Sequence, residues 1–371
     1  MLIAFLSLIA LMIIHEFGHF IIAKKFGVKV EEFGIGYPPR LFGKQFGDTL
    51  YSINLVPLGA FVKIYGEEGE VVSDVDNYRS FSGLAIYKRM LIVLGGVIAF
   101  WIASIIIFSV MFLTGATMPV GDQDVAGFTD ITITISEVAE NSPAHDSGLK
   151  EGDKIVSVQV GQVRTDIKKV ADFQKIVQEN KSKQIIVAVV RQGEELYIPL
   201  IPRVEYPEGQ GPTGVVLERL DTIIQKAPWY EAPFRGAAYC WKVTVDITYG
   251  IFSFFANIFR GQGVPSGAEF AGPVGITIFL ARAASYGAGF FLYFIGSISV
   301  LLAIFNLLPI PALDGGKLLF LIIEKVKGSA VSVKIEGWLT IFFFILLISM
   351  SLFITIKFDF PRVMEFWKAG L

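Results

Sequence analysis

The chain has 371 residues, of which 53% are hydrophobic, with a mean hydropathy of +0.59 and a net charge of −2. This composition is typical of a protein with several membrane spans and a soluble insert, and it disfavours a wholly globular enzyme. The near-neutral charge gives no sign of a nucleic-acid partner. The single cysteine, Cys240, excludes an intrachain disulfide framework and a cysteine-based zinc cage.

Residues 1–24 predict a first transmembrane helix that carries a hydrolase motif. Leu2–Ala23 holds one charged side chain, Glu16, and about 20 apolar residues suffice to cross a bilayer. His15 and His19 lie one helical turn apart on one face, where both imidazoles can bind one zinc ion. Glu16 lies beside them, in position to take a proton from water. The alternative is a chance spacing of polar residues in a helix bundle. The segment lacks a basic n-region, so we expect it to be retained.

Residues 25–87 predict a β region associated with the cytoplasmic side of the membrane. Leu50–Asn54 and Ala60–Tyr65 alternate enough to form strands around a Pro-Leu-Gly turn. A plain cytoplasmic hairpin is the alternative.

Three further segments predict transmembrane helices, and basic residues near their ends predict the orientation. The apolar runs are Met90–Met118 within residues 88–119, Gly289–Leu308 within residues 288–316, and Trp338–Ile356 within residues 337–371. The basic residues near these spans and after the first one are Lys24, Lys25, Lys29, Lys88, Arg89, Lys317, Lys325, Lys327 and Lys334. The positive-inside rule places them, with the loop 317–336, in the cytoplasm. Both termini and residues 120–287 are then expected outside.

Residues 120–206 predict an extracytoplasmic α+β domain. Strands are expected at Ile131–Glu137, within 148–158 and at Gln184–Val190, with short helices after residue 142 and near Lys169–Asn180. The run SPAHDSGLKEGDKIVSV resembles the core of bacterial PDZ domains, which bind extended peptides at a sheet edge. A spacer domain that binds no peptide is the alternative. We expect His145 at the surface or in a peptide groove, not at a metal.

Residues 207–287 predict a linker and an amphipathic helix. Trp229–Arg260 is rich in aromatic residues, but charged residues interrupt its first half. If it crossed the membrane, a further crossing would be needed near Ile276–Ala284, which is short and contains Arg282. We therefore expect a helix in the outer interface, where Trp and Tyr are favoured.

The end of the third span predicts a further metal ligand. Pro309 and Pro311 must break or kink the helix, and irregular backbone at membrane depth is tolerated only inside protein or beside a wet cavity. We expect Asp314 to face such a cavity, at the cytoplasmic depth of His15 and His19. Two histidines and one carboxylate form a common catalytic zinc shell. A simple turn or helix cap at Asp314 is the alternative.

These motifs together resemble those of the site-2 protease family, in particular the bacterial RseP-type and RasP-type intramembrane zinc metalloproteases of peptidase family M50. The resemblance rests on HEFGH in a first span, a PDZ insert, and NLLPIPALDGG in a later span. It implies a Zn²⁺ site formed by His15, His19 and Asp314, with Glu16 as the general base. It also implies a role for Asn306 beside the scissile peptide, for which a buried amide in a broken helix is the alternative.

Two other segments extend the resemblance. FGIGYP at 33–38 and VPLGAFVKI at 56–64 are similar to the family's membrane-associated β region, in which an edge strand holds an unwound substrate. This implies substrate binding by the residues Gly59, Ala60, Phe61, Val62 and Lys63. AGPVGI at 271–276 matches the family's Gly-Pro segment.

The chain also departs from the family pattern in two respects. The second span reads LGGVIA at 94–99, without the asparagine that many relatives carry there. It has one PDZ domain where some relatives have two. Because of the first departure, the resemblance implies no polar contact between the second span and the substrate. Because of the second, the way in which the PDZ region would select substrates stays open.

The sequence thus predicts a polytopic α-helical membrane protein with about four transmembrane helices, a membrane-associated β region and one inserted α+β PDZ domain. We expect it in the bacterial inner (cytoplasmic) membrane, where it cleaves single-span membrane proteins such as an anti-sigma factor or a remnant signal peptide. One alternative is a non-catalytic PDZ membrane receptor with a structural zinc site, which would not need Glu16. A transporter is another, but the chain shows no internal repeat.

Overall fold

A computed structural model describes residues 2–67, 77–115, 118–119, 131–191, 193–207, 210–221, 226–261, 270–285 and 287–368. The chain forms two compact units. The first comprises Met1–Leu113, Ala227–Val264 and Glu269–Leu371, and the second comprises Thr114–Lys226 and Pro265–Ala268.

In chain order the helices are α1 (Leu2–Lys25), α2 (Ile86–Thr114), α3 (Pro143–Ser147), α4 (Val170–Glu179), α5 (Ala232–Phe259), α6 (Pro273–Ser285), α7 (Ala288–Leu307), α8 (Asp314–Lys327), α9 (Val333–Ile354) and α10 (Phe360–Lys368). The strands are β1 (Val30–Phe46), β2 (Thr49–Ile64), β3 (Met118–Pro119), β4 (Ile131–Val138), β5 (Lys154–Val160), β6 (Val163–Asp166), β7 (Ile185–Arg191), β8 (Glu194–Leu200) and β9 (Val215–Asp221). A π-helical turn, Thr355–Asp359, joins α9 to α10.

Four helices in the described part of the chain are long and apolar enough to cross a membrane. They are α1, α2, α7 and the continuous run Val333–Met364, which contains α9. The prediction of a polytopic membrane protein with about four spans is therefore confirmed. Helix α5 is not among them, because charged side chains such as Lys242 and Asp246 interrupt its apolar sequence.

Helices α1, α2, α6 and α7 share an apolar core. Leu11 of α1, Val97 of α2, Leu280 of α6 and Ala303 of α7 are all buried in it. Two hydroxyl groups link α2 and α7, because Ser104 donates to the Gly296 carbonyl at 3.0 Å and Ser299 donates to the Phe100 carbonyl at 2.7 Å. Hydrogen bonds of this kind join membrane helices that apolar packing alone holds weakly.

The predicted β region is present and consists of β1 and β2. In the first half of β1, Glu32–Ile35 pairs with Leu50–Ile53 on one side and with Ala60–Lys63 on the other. The second half of β1, Arg40–Phe46, turns back to pair with Thr49–Asn54. Ala60–Lys63 is thus an edge strand of this small sheet.

The end of the last span is anchored near the Gly-Pro segment. Asp359 is fully buried, accepts a hydrogen bond from the Gly272 N–H at 3.0 Å, and lies 3.5 Å from the Arg362 guanidinium. Arg362 in turn donates to the Phe270 carbonyl at 2.6 Å. These contacts hold the beginning of α6 against the π-helical turn after α9.

The second unit is an antiparallel sheet with two short helices. The strand order is β3-β9-β4-β5-β7-β8, and β6 pairs with β5. Ile133, Phe173 and Val187 belong to its apolar core, and Asp153 is buried in a 2.6 Å ion pair with Arg191. Strands and helices occur where the sequence predicts them between residues 131 and 191. The predicted domain start at residue 120 lies outside the described residues.

The structure differs from the sequence-based boundaries in two places. The segment 317–336, predicted as a loop, contains most of helix α8, which buries Phe320 and Leu321 and ends at Gly328 with a φ of +78°. Its lysines exclude a membrane span, but they are compatible with an amphipathic helix. Strand β9 lies in the predicted linker, beyond residue 206, and pairs with β4 in the sheet.

Candidate active site

The tertiary structure orients the second motif histidine through a backbone carbonyl of α2. His19 is buried, and its Nδ1 lies 2.9 Å from the Ile92 carbonyl oxygen. A carbonyl can only accept a hydrogen bond, so Nδ1 carries a proton and Nε2 is the ring nitrogen that is left to bind a metal. This is the arrangement that fixes the tautomer of a metal-binding histidine.

Glycines bring α2 against the motif face of α1. A Cβ on Gly18, inside the motif, would overlap the Gly95 carbonyl oxygen. A Cβ on Gly96 would overlap His19 Nε2 and lie 2.6 Å from His15 Nδ1. The two imidazoles therefore lie directly against the α2 backbone, at a position that accepts no side chain.

Asp314 reaches the same place from a sharp turn between α7 and α8. Helix α7 ends at Leu307, as the two prolines predict, and Ala312 adopts a left-handed φ of +93° before α8 begins at Asp314. A Cβ on Gly315 would overlap the Leu308 carbonyl oxygen, and one on Gly316 would overlap the Ile310 carbonyl oxygen. The Asp-Gly-Gly sequence thus lets α8 start tightly against the turn.

Three atoms that could bind a metal ion, from α1 and α8, form a nearly equilateral triangle. His15 Nε2 and His19 Nε2 lie 3.3 Å apart, and Asp314 Oδ2 lies 3.4 Å from the first and 3.2 Å from the second. A tetrahedral zinc ion with bonds of about 2.0–2.2 Å separates its ligand atoms by about 3.3–3.6 Å. The triangle therefore fits three corners of a tetrahedral zinc site.

The chemistry of these atoms also suits a bound cation. With His19 Nδ1 directed at the Ile92 carbonyl, His19 Nε2 faces the Asp314 carboxylate at 3.2 Å. Asp314 Oδ2 is buried among these side chains. A positive charge in the centre of the three atoms would stabilise the carboxylate and the two imidazoles together. The side chains present thus fit a zinc ion.

Charged residues border this site on the β region and on α8. Glu16 follows His15 directly in α1, and Lys317 lies in the first turn of α8, three residues after Asp314. The Lys317 ammonium group lies 2.7 Å from Glu67, three residues after the end of β2. The predicted base is therefore adjacent to His15 in the chain, and an ion pair joins the β region to α8 close to Asp314.

The comparisons with known proteins assign a family to the chain. The sequence profile of Peptidase family M50 matches residues 3–350. The chain belongs to this family. The M50 chain is 31% identical over 358 residues to the "putative zinc metalloprotease" of Clostridium acetobutylicum, with 96% of each chain covered.

Other relatives extend this similarity. A protein of the same name from Clostridium perfringens is 29% identical over 354 residues, which cover 95% of the M50 chain and 96% of the relative. The regulator of sigma-E protease RseP of Salmonella typhimurium is 28% identical over 426 aligned residues, which cover 90% of the M50 chain and 92% of the relative. The M50 protein is therefore a membrane zinc metalloprotease.

The structure places the predicted substrate-binding residues in two elements near α1. Gly59, Ala60, Phe61, Val62 and Lys63 lie in β2, and Gly59 adopts a φ of +120°. Asn306 lies in the last turn of α7, where its Nδ2 donates to the Leu302 carbonyl at 3.0 Å. His145 lies in α3 of the second unit, exposed beside Asp146.

Sequence reasoning missed the contribution of the second span to this site. The Ile92 carbonyl carries no side-chain signal, so no motif reveals it. The paired glycines Gly95 and Gly96 do leave a signal, since each costs a helix about 1 kcal/mol relative to alanine and is retained where backbones approach closely.

Proposed function

We propose that this M50 peptidase hydrolyses peptide bonds within the transmembrane segments of single-span membrane proteins. In this proposal His15, His19 and Asp314 bind the zinc ion and Glu16 is the general base. The observation that carries it is the triangle of ligand atoms, 3.2–3.4 Å apart, beside Glu16 on an apolar helix long enough to cross a membrane. A structural zinc site would have no need of that glutamate.

The chain's own residues would divide the chemistry as follows. When bound, zinc supplies Lewis acidity, which favours deprotonation of the attacking water and polarises the scissile carbonyl. Glu16 takes a proton from the water as the water oxygen bonds to the carbonyl carbon. Glu16 then returns that proton to the amide nitrogen as the carbon–nitrogen bond breaks. The Ile92 carbonyl holds the His19 ring in one orientation throughout.

The edge strand Ala60–Lys63 of the small β sheet is a suitable place to hold the substrate. A helical peptide bond is shielded, so the segment must be extended before water attacks. Ala60–Val62 pairs with Phe33–Ile35 on one side, and no other described strand pairs with its opposite side. A substrate strand can add there through backbone hydrogen bonds. Met12 of α1 lies against Gly59, which connects this strand to the helix that carries Glu16.

The location, orientation and substrates complete the proposal. Basic residues after α1, before α2 and within α8 support placement of the site on the cytoplasmic side of a bacterial inner membrane. The second unit would then be an extracytoplasmic PDZ domain, supported by its SPAHDSGLKEGDKIVSV run and its antiparallel strands. Substrates would be anti-sigma factors already trimmed outside, or remnant signal peptides.

The test is cleavage of a single-span substrate by the purified protein in liposomes. The tagged substrate has its ectodomain removed, and the parent is compared with Glu16→Gln. We expect cleavage by the parent, none by the variant, and none in a zinc chelator, with zinc retained by the variant. Equal product from parent and variant, with zinc bound in both, would refute the role of Glu16.

A second experiment tests the role of the extracytoplasmic unit. Residues 120–206 are replaced by an unrelated folded spacer, and cleavage of trimmed and intact substrates is compared. We expect the parent to prefer the trimmed substrate and the chimaera to lose this preference. Unchanged discrimination by the chimaera would show that this unit does not select the substrate.

A further inference from the structure

Tyr37 lies beside the face of α1 that carries Glu16. A Cβ on Gly59 would be 3.3 Å from the Met12 sulfur and 3.5 Å from Tyr37 Cε2, so the Met12 side chain and the Tyr37 ring both lie close to this glycine. Met12 and Glu16 are one helical turn apart on the same face of α1. The tyrosine ring therefore lies near the face of α1 that carries the proposed base.

The ring of Tyr37 is fixed while its hydroxyl group remains available. The ring stacks on Phe61, with centroids 6.2 Å apart and an interplanar angle of 17°. The preceding Gly36 adopts a φ of +78°, and a Cβ there would lie 2.7 Å from the Val56 carbonyl oxygen. Tyr37 is 44% exposed, and its hydroxyl makes no hydrogen bond to the residues that the structure describes.

The electrostatic surroundings keep this hydroxyl protonated. Burial raises the pKa of Tyr37, and the nearby carboxyl group of Glu16 raises it further. A phenol whose pKa lies above its ordinary value of about 10 is neutral at physiological pH and donates a hydrogen bond. Tyr37 is thus a preformed donor beside the catalytic motif.

We infer that Tyr37 is a catalytic residue whose hydroxyl donates a hydrogen bond to the carbonyl oxygen of the scissile peptide. This inference rests on the proposed function. The ring of Tyr37 stacks on Phe61 of the strand proposed to hold the substrate, and it lies close to the Met12 side chain, one helical turn before Glu16. Tyr37 therefore lies between the proposed substrate strand and the proposed base.

The bond-making steps show what this donor contributes. As the water oxygen bonds to the carbonyl carbon, negative charge develops on the carbonyl oxygen, and a fixed donor stabilises that charge most strongly. Tyr37 keeps its own proton, because the proton of the water passes through Glu16 to the departing nitrogen. Asn306 already uses one of its two N–H bonds on the Leu302 carbonyl, so a second donor is valuable here.

The experiment compares Tyr37→Phe with Tyr51→Phe in the liposome cleavage assay. Tyr37→Phe keeps the ring and its stacking on Phe61 but removes the donor. Tyr51→Phe is the matched control, since Tyr51 lies in the same sheet and its ring packs against Phe33 of β1 and Phe20 of α1. For Tyr37→Phe we expect kcat to fall about 100-fold, with KM changed less than about twofold. Zinc content and Tm should equal those of the parent, and Tyr51→Phe should keep the parent's kcat.

Several outcomes separate this inference from the proposed function. If the parent cleaves, Glu16→Gln does not, and Tyr37→Phe retains kcat within about twofold, the role of Tyr37 is refuted and the protease stands. If Glu16→Gln cleaves as well as the parent, the proposed function itself fails.

If Tyr37→Phe loses zinc or stability, Tyr37→His, which keeps a ring donor, is compared with Tyr37→Leu. We expect at least about tenfold higher kcat for the histidine variant, and equal values would overturn the inference.

Discussion

Replacing Gly96 with alanine is expected to remove zinc from the protein while leaving its helices folded. The new Cβ would lie 2.5 Å from His15 Cε1 and would overlap His19 Nε2, whereas ordinary contacts begin at 3.4 Å. The His15 ring must therefore move by about 0.9 Å, the difference between 3.4 and 2.5 Å. Metal ligands tolerate displacements of only about 0.2 Å. We therefore expect zinc affinity to fall at least about 100-fold, as disturbance of supporting contacts already costs 10–100-fold.

The assay measures zinc per chain by mass spectrometry on the purified protein, together with Tm and substrate cleavage. Alanine favours a helix by about 1 kcal/mol over glycine, so the substitution itself should not unfold α2. Gly337→Ala in α9 is the control, because a Cβ there meets nothing within 4 Å. We expect the control to retain zinc and activity. Full zinc and full cleavage in Gly96→Ala would refute the reasoning that α2 limits the positions of the imidazoles.

Three further predictions concern Asp314, the anchor of the last span, and the links between helices. Asp314→Asn keeps the shape of the side chain but removes its charge, so bound zinc should fall at least about tenfold, and undiminished zinc content would contradict a ligand role. Asp359→Asn removes the buried negative charge that faces the Arg362 guanidinium, so the free energy of unfolding should drop by about 3 kcal/mol in a denaturation series, with zinc retained at low temperature. Ser104→Ala and Ser299→Ala should each cost only about 0.6 kcal/mol, and a loss above about 3 kcal/mol for the pair would contradict this.

The four spans and the motif face of α1 are predictable because both depend on local sequence. Hydrophobic length decides whether a helix crosses a bilayer, and the helical repeat alone puts His15 and His19 on one face. The prolines after α7 likewise end that helix at Leu307, as local backbone chemistry requires. These predictions hold because each depends only on interactions between residues that are close together in the chain.

Other elements were less predictable because their structure depends on distant partners. The segment 317–336 was predicted only as a cytoplasmic loop between two spans, and the helix α8 within it is stabilised by burial of Leu321 in a cluster with Ala23 and Ile92. In the β region, alternation predicts the strands but not their neighbours. Residues Glu32–Ile35 of β1 lie between two parts of β2, which local alternation does not specify.

The sequence by itself determined the class of protein, its membrane spans and the chemical types of its candidate ligands. Only the tertiary structure decided that Asp314 Oδ2 lies 3.2 Å from His19 Nε2, and that the Ile92 carbonyl, 73 residues along the chain, orients the same ring. It also placed Gly96 against both imidazoles, and Tyr37 and Met12 around Gly59. The physical reason is that spans and helical faces follow from local sequence, whereas the distances within a site depend on packing between segments far apart in the chain.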